Sequence, residues 1–267
     1  MSHPRRFLLP ALLLAICTSA LTAFAAPQRL KVTADGRNFV TADGRPFFYL
    51  ADTAWALFQQ LTREDATLYL QDRADKGFTV IQAVAALWRS LEHPNIYGDR
   101  VFVDGDTRRP NERFFAHVDF VIDEAEKRGL YVALVPIWGG YYLPPREGGA
   151  LPLSAEGALE YGRFLGRRYG EKPVIFVIGG DYDPLPETLP VWRALAQGIR
   201  ETAPHSLQTY HPTGRSTSAT FLHHEAWLDF NMTQSGHKRL NDSHAFIAAD
   251  YARTPAKPVI DAEPAYE

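Results

Sequence analysis

Two carboxylates stand where short apolar runs give way to loops. Asp181 follows VIFVIGG and Glu263 follows PVIDA. The double glycine before Asp181 lets the backbone turn sharply and leaves the carboxylate at a rim. A pair of such acids suits one reaction well. One protonates a departing oxygen, while the other attacks the anomeric carbon or activates water, the minimum equipment for cleaving a glycosidic bond. In the retaining form the two carboxyl groups stand about 5–5.5 Å apart. Nearby acids read differently. Asp261 alternates with Glu263 and suits a supporting hydrogen-bond partner. Asp183, followed by Pro184, suits a turn. Glu267 competes with Glu263 for the nucleophile's place but lies past the expected strand end.

The other run ends are rich in rings and hydrogen-bonding groups. They carry Asp52, Trp55, Trp88, Trp138, Tyr141, Tyr142, Tyr182, His211, Gln234 and His237. Aromatic faces stack on the C–H side of a sugar ring, while Asp, His and Gln satisfy its hydroxyls, so the set suits an oligosaccharide or polysaccharide. One tryptophan alone is more often core; several at matching positions point to a shared pocket. A non-catalytic glycan-binding module on the same scaffold is the alternative, because a fold does not dictate a function. Other chemistries lack their signatures. No H-E-x-x-H occurs and His223-His224 are adjacent, so no metal centre is expected. No G-x-S-x-G supports a serine nucleophile. LADTAW stands where a doubly wound sheet, the alternative for seven strands, would carry a glycine-rich phosphate loop, which favours a barrel; no cofactor is expected.

These residues need strands to hold them. Apolar runs at 47–52, 78–84, 130–138, 174–181, 207–212, 228–234 and 258–263 alternate with helical patterns. Their continuous apolarity suits strands buried on both faces. Gly77, Gly129 and Gly170 to Pro173 end helices ahead of strands, and Thr62, Asn111 and Ser154 are candidate N-caps. Residues 114–129 place Phe114, Val118, Val121, Ile122 and Ala125 on one helical face. Repeated strand–helix units of this size predict an α/β fold with parallel strands, a (β/α)8 TIM-type barrel whose active site lies at the strand ends. Seven strands are visible, so truncation after the seventh is expected. The repeat VTADGR, at 32–37 and 40–45, predicts an N-terminal β-hairpin covering the lower end.

The first 26 residues read as a secretory signal peptide: Arg5 and Arg6, an apolar stretch from Phe7, then small residues around Ala23 and Ala25. The domain then spans 27–267, and a secreted or periplasmic location follows, with no membrane association after cleavage. The single cysteine, Cys17, falls in the leader and is preceded by Ile16, which argues against a lipoprotein site. The remaining chain has no thiol for a disulfide or a nucleophile. With 28 Lys and Arg against 31 Asp and Glu, the net charge of −3 offers no footprint for nucleic acid. Oligomeric state leaves no mark in the sequence.

Five stretches, PFFYLADTAW, VIFVIGGDYDP, TYHPTGRSTS, DFNMTQSGH and KPVIDAEPAYE, together resemble the apiosidase-like glycoside hydrolases, a group long known only as a domain of unknown function. The resemblance runs from about Leu30 to the last residue. It implies a secreted bacterial (β/α)8 enzyme of retaining mechanism that acts on plant pectin, including apiosyl linkages of rhamnogalacturonan II. It implies Asp181 as acid/base and Glu263 as nucleophile, with Asp52, His211, Gln234 and His237 contacting the sugar. Members usually continue with an eighth strand and often a β-sandwich domain, so the stretch read here is expected to stop short of both.

Overall fold

The computed structural model describes residues 27–87, 93–139, 153–238 and 242–266. The two VTADGR copies make two successive turns, so the N-terminal unit is a three-stranded antiparallel sheet rather than one hairpin. It comprises β1 (Leu30–Val32), β2 (Phe39–Thr41) and β3 (Pro46–Phe47). Phe39 meets Phe230 edge-on at 5.0 Å and Phe47 meets Tyr131 at 5.0 Å. Those partners lie at the starts of barrel strands, so the small sheet covers the barrel's lower end, as expected.

Seven parallel-type strands follow: β4 (Ala51–Thr53), β5 (Val80–Ala86), β6 (Tyr131–Ile137), β7 (Val174–Gly179), β8 (Gln208–His211), β10 (Asn231–Gln234) and β11 (Val259–Asp261), six in the expected places and the first only at the end of the run expected over 47–52, whose Phe47 lies in β3. A short β9 (Ser216–Thr217), not anticipated, pairs antiparallel with β10. Strands β4 to β8 form one parallel sheet in sequence order, and β10 pairs in parallel with β11. Between β8 and β10 the hydroxyl of Thr209 donates to the Phe230 carbonyl at 2.7 Å, and Asp229 N–H donates to the Gln208 carbonyl at 2.8 Å. Among the described residues β11 and β4 do not pair, so the barrel is not closed.

Alternation along the strands separates two cores. Val80, Val84, Ala133, Val135, Ile175, Val177 and Met232 fill the interior. Ile81, Ala83, Val132, Leu134, Phe176, Ile178 and Tyr210 face the helices. Strands with both faces buried bear continuous apolar runs for this reason.

The helices that cover the sheet include α1 (Leu57–Gln60), α2 (Arg63–Asp75), α3 (Glu112–Lys127), α4 (Ala155–Tyr169), α5 (Leu189–Thr202), α6 (Ser218–Leu222) and α7 (Ser243–Tyr251). Thr62, Asn111 and Ser154 each accept a backbone N–H at the start of α2, α3 and α4, as their types predict. The five apolar residues expected on one face of α3 are all buried. Among the described residues no helix is long and apolar enough to cross a membrane.

Candidate active site

Glu263 follows β11 and is 5% exposed. Its two oxygens have different surroundings. Oε2 accepts from Gln234 Nε2 at 2.8 Å and lies 3.2 Å from His211 Nε2, close but too oblique for a full hydrogen bond. Oε1 accepts from the Tyr266 hydroxyl and from Trp55 Nε1 at 3.4 Å, with His237 Nε2 at 3.7 Å. Burial is the largest influence on the carboxyl and pushes its pKa up. The contact with His211, then the Tyr266 and Trp55 donors, outweighs burial, and the pKa lies below the ordinary value. Glu263 is thus a buried carboxylate held in its ionised form.

Asp181 lies across the same end of the barrel. Gly179, Gly180 and Asp181 all adopt positive φ, at 95°, 97° and 53°. A Cβ on Gly179 would lie 2.5 Å from the His211 carbonyl, and one on Gly180 3.0 Å from the Trp138 ring. The double glycine therefore meets a steric need as well as a conformational one. For Asp181 the left-handed backbone costs on the order of 1 kcal/mol, a strain of the kind stored at functional sites. The Asp181 side chain is at the surface, while its N–H donates to His211 Nδ1 at 3.4 Å. One imidazole therefore spans the gap between the Asp181 backbone and the Glu263 carboxylate.

Rings line this end. Trp55 and Trp138 meet edge-on at 4.9 Å, and His211 lies 5.4 Å and 5.8 Å from them. The half-exposed His237 stacks on Tyr266 at 4.5 Å, with planes 13° apart. Gln82 points inward and donates to the Ala262 carbonyl at 3.1 Å, fixing the backbone just before Glu263. Asp261 accepts from the Ser235 N–H and hydroxyl, the supporting part expected of it. Asp183 accepts from Thr213 N–H at 3.1 Å and orders a loop.

Several expected sugar contacts lie elsewhere. Asp52 is in register with Ile81, whose side chain faces the helices. Asp52 shares that outer face, where it accepts from Tyr69 at 2.8 Å and from Arg73 at 3.0 Å, tying β4 to α2. Tyr182 turns its ring toward Trp192 at 6.2 Å and buries its hydroxyl, so it belongs to the outer core. His211 is wholly buried and Gln234 is 3% exposed, so both lie beneath the carboxylate. Trp55, Trp138 and His237 do gather at the mouth. Trp88 and Tyr141 lie outside the described residues, as do Tyr142 and Glu267. Tyr266 was missed by residue-type reasoning, although its place three residues after Glu263 puts it on the same loop. Gln82 was missed because it lies in the middle of an apolar run.

Among the described residues no group of three or more His, Cys, Asp or Glu side chains is arranged to hold a metal ion. The arrangement offers an ionised, donor-held carboxylate, a second acid at the surface and an aromatic mouth.

Parallel strands wound in sequence order, with polar groups collected at their C-terminal ends, define an α/β protein of the (β/α)8 TIM-barrel class. The model of the apiosidase-like catalytic domain matches residues 33–267, and the chain belongs to that family. A glycoside hydrolase family 5 structure from Bacteroides vulgatus ATCC 8482 is 37% identical, with a TM-score of 0.80, over 90% of this chain and 54% of that one. Another, described as a glycoside hydrolase, is 35% identical with a TM-score of 0.81, over 91% of this chain and 58% of that one. The chain thus spans little more than half the length of these two. A family 5 mannosidase from Rhizomucor miehei (E301A mutant), 13% identical with a TM-score of 0.65 over 87% of this chain and 72% of that one, shares the fold alone. A search of curated proteins finds no match.

Proposed function

We propose that the protein is a retaining glycoside hydrolase of pectic oligosaccharides, with apiosyl linkages of rhamnogalacturonan II as its substrate class. The observation that carries this reading is the Glu263 carboxylate, buried yet held ionised by Gln234, Trp55, Tyr266 and His211. A nucleophile needs that state, and an inert core glutamate would be neutral or paired with a cation. Glu263 attacks the anomeric carbon while Asp181 gives its proton to the glycosidic oxygen. The carbon–oxygen bond breaks, the leaving sugar departs as an alcohol, and a glycosyl ester on Glu263 remains. Asp181, now a carboxylate, takes a proton from water, the water oxygen bonds to the anomeric carbon, and Glu263 leaves as a carboxylate. Trp55, Trp138 and His237 border the sugar. Family membership and the glycoside hydrolases at 35–37% identity support the reaction class. Secretion through residues 1–26 is part of the same proposal.

The test is a screen of rhamnogalacturonan II oligosaccharides for released sugar, followed by Glu263→Ala. The variant is expected to be inactive, with azide restoring turnover as a glycosyl azide of inverted anomeric configuration. Undiminished hydrolysis by Glu263→Ala would overturn the assignment. Glycan binding without any new reducing end would favour the non-catalytic module.

A further inference from the structure

Resting on the proposed reaction, we infer that His211 is a positioning residue that sets both carboxylates at once through a fixed tautomer. Its surroundings dictate the proton's location. The Asp181 N–H donates to Nδ1 at 3.4 Å, so Nδ1 presents a lone pair. The ring's proton then sits on Nε2, the nitrogen 3.2 Å from Glu263 Oε2. A proton on Nδ1 would collide with the Asp181 N–H and turn a bare lone pair toward a carboxylate, so both neighbours select one form. No part of the ring is exposed, and Trp55 and Trp138 pack against it. It cannot rotate to exchange protons with a bound sugar.

The consequences divide between the two nitrogens. Nδ1 holds the Asp181 backbone in its left-handed turn, which sets where that carboxylate meets the glycosidic oxygen. Nε2 supplies positive potential to Oε2, the oxygen away from the exposed Tyr266 and His237. Gln234 and His211 thereby anchor Oε2, and Oε1 is the oxygen left facing the mouth for attack.

Two substitutions separate the halves. In His211→Asn the side-chain oxygen can replace Nδ1, but nothing replaces Nε2. In His211→Gln the amide nitrogen can replace Nε2, but nothing replaces Nδ1. Glu263 titration is read by NMR of 13C-carboxyl-labelled protein, assigned by difference from Glu263→Gln. The Asn variant is expected to titrate about one pH unit higher than wild type, as loss of one polar N–H contact to the ionised form predicts, and the Gln variant close to wild type. On rhamnogalacturonan II oligosaccharides the Gln variant is expected to lose kcat on the order of 100-fold through displacement of Asp181, with KM little changed.

Equal titration of wild type and the Asn variant would overturn the inference. So would a raised KM with intact kcat in both variants, which would make His211 a sugar contact. If neither variant folds, 15N shifts of the wild-type ring decide: protonated Nε2 with bare Nδ1 is required, and the reverse tautomer refutes it. The titration and the tautomer need no turnover. A wild-type protein that cleaves nothing would therefore refute the proposed function while leaving this test intact.

Discussion

Trp55 and Tyr266 meet over the Glu263 carboxylate. The indole Nε1 donates to the phenol oxygen at 3.1 Å, and the phenol in turn donates to Oε1. Trp55 follows the first barrel strand and Tyr266 follows the seventh, so this chain of donors crosses the opening where β4 and β11 do not pair. The carboxylate is one point at which the two sides of that opening are joined, the hydrogen bond from Gln82 to the Ala262 carbonyl being another.

Removing the phenol hydroxyl should therefore be felt at Glu263. In Tyr266→Phe a donor to the ionised form is lost and the carboxyl pKa rises. A hydrogen bond to a charged group is worth about 1.5 kcal/mol, close to one pH unit. The acid limb of the kcat/KM profile should move up by that amount. An unchanged limb would mean that the hydroxyl does not tune the carboxylate.

The same carboxylate links stability to pH. Its folded pKa is below its unfolded one, so its ionisation contributes stability in full above the ordinary value of 4.5. That contribution disappears as pH falls through the lower, folded value. Urea unfolding of wild type and Glu263→Gln should show a gap that is constant near neutrality and narrows below pH 4.5.

Gly179→Ala should be costly. The residue has φ 95°, and the new methyl would meet the His211 carbonyl at 2.5 Å. Conformational strain and overpacking together predict a loss of about 3 kcal/mol in urea unfolding. Activity should fall with it, because the methyl pushes on the residue that holds Asp181.

Asp52→Ala tests a residue whose type suggested sugar binding but whose placement gives it another task. It should lower stability by about 1 kcal/mol through the lost Arg73 and Tyr69 contacts, the upper end for solvent-accessible pairs. The KM for oligosaccharide should stay within about twofold of wild type, since that loss is of uniform stability and not of binding. A tenfold rise in KM would return Asp52 to the mouth.

Much of the fold was legible because strands buried on both faces carry an unbroken apolar signature. Six of the seven runs hold the strands expected of them, the first is divided between β3 and β4, and the caps at Thr62, Asn111 and Ser154 hold as their side-chain chemistry requires. The acids Asp181 and Glu263 could be picked out because each interrupts such a run at its end. The face of a short strand was less legible. β4 spans only Ala51–Thr53, too few residues for a period of two to show which side Asp52 takes.

Sequence alone determined the order of the strands, the helices between them and which loops bear acids and rings, since these follow from local periodicity and residue type. Tertiary structure alone decided that Asp52 serves α2, that Tyr182 joins the outer core, and that His211 lies beneath the site with one nitrogen on each acid's segment. Those outcomes depend on register and on contacts between residues far apart in the chain. No local pattern encodes that His211 and Glu263, from strands not hydrogen-bonded to each other, come within 3.2 Å.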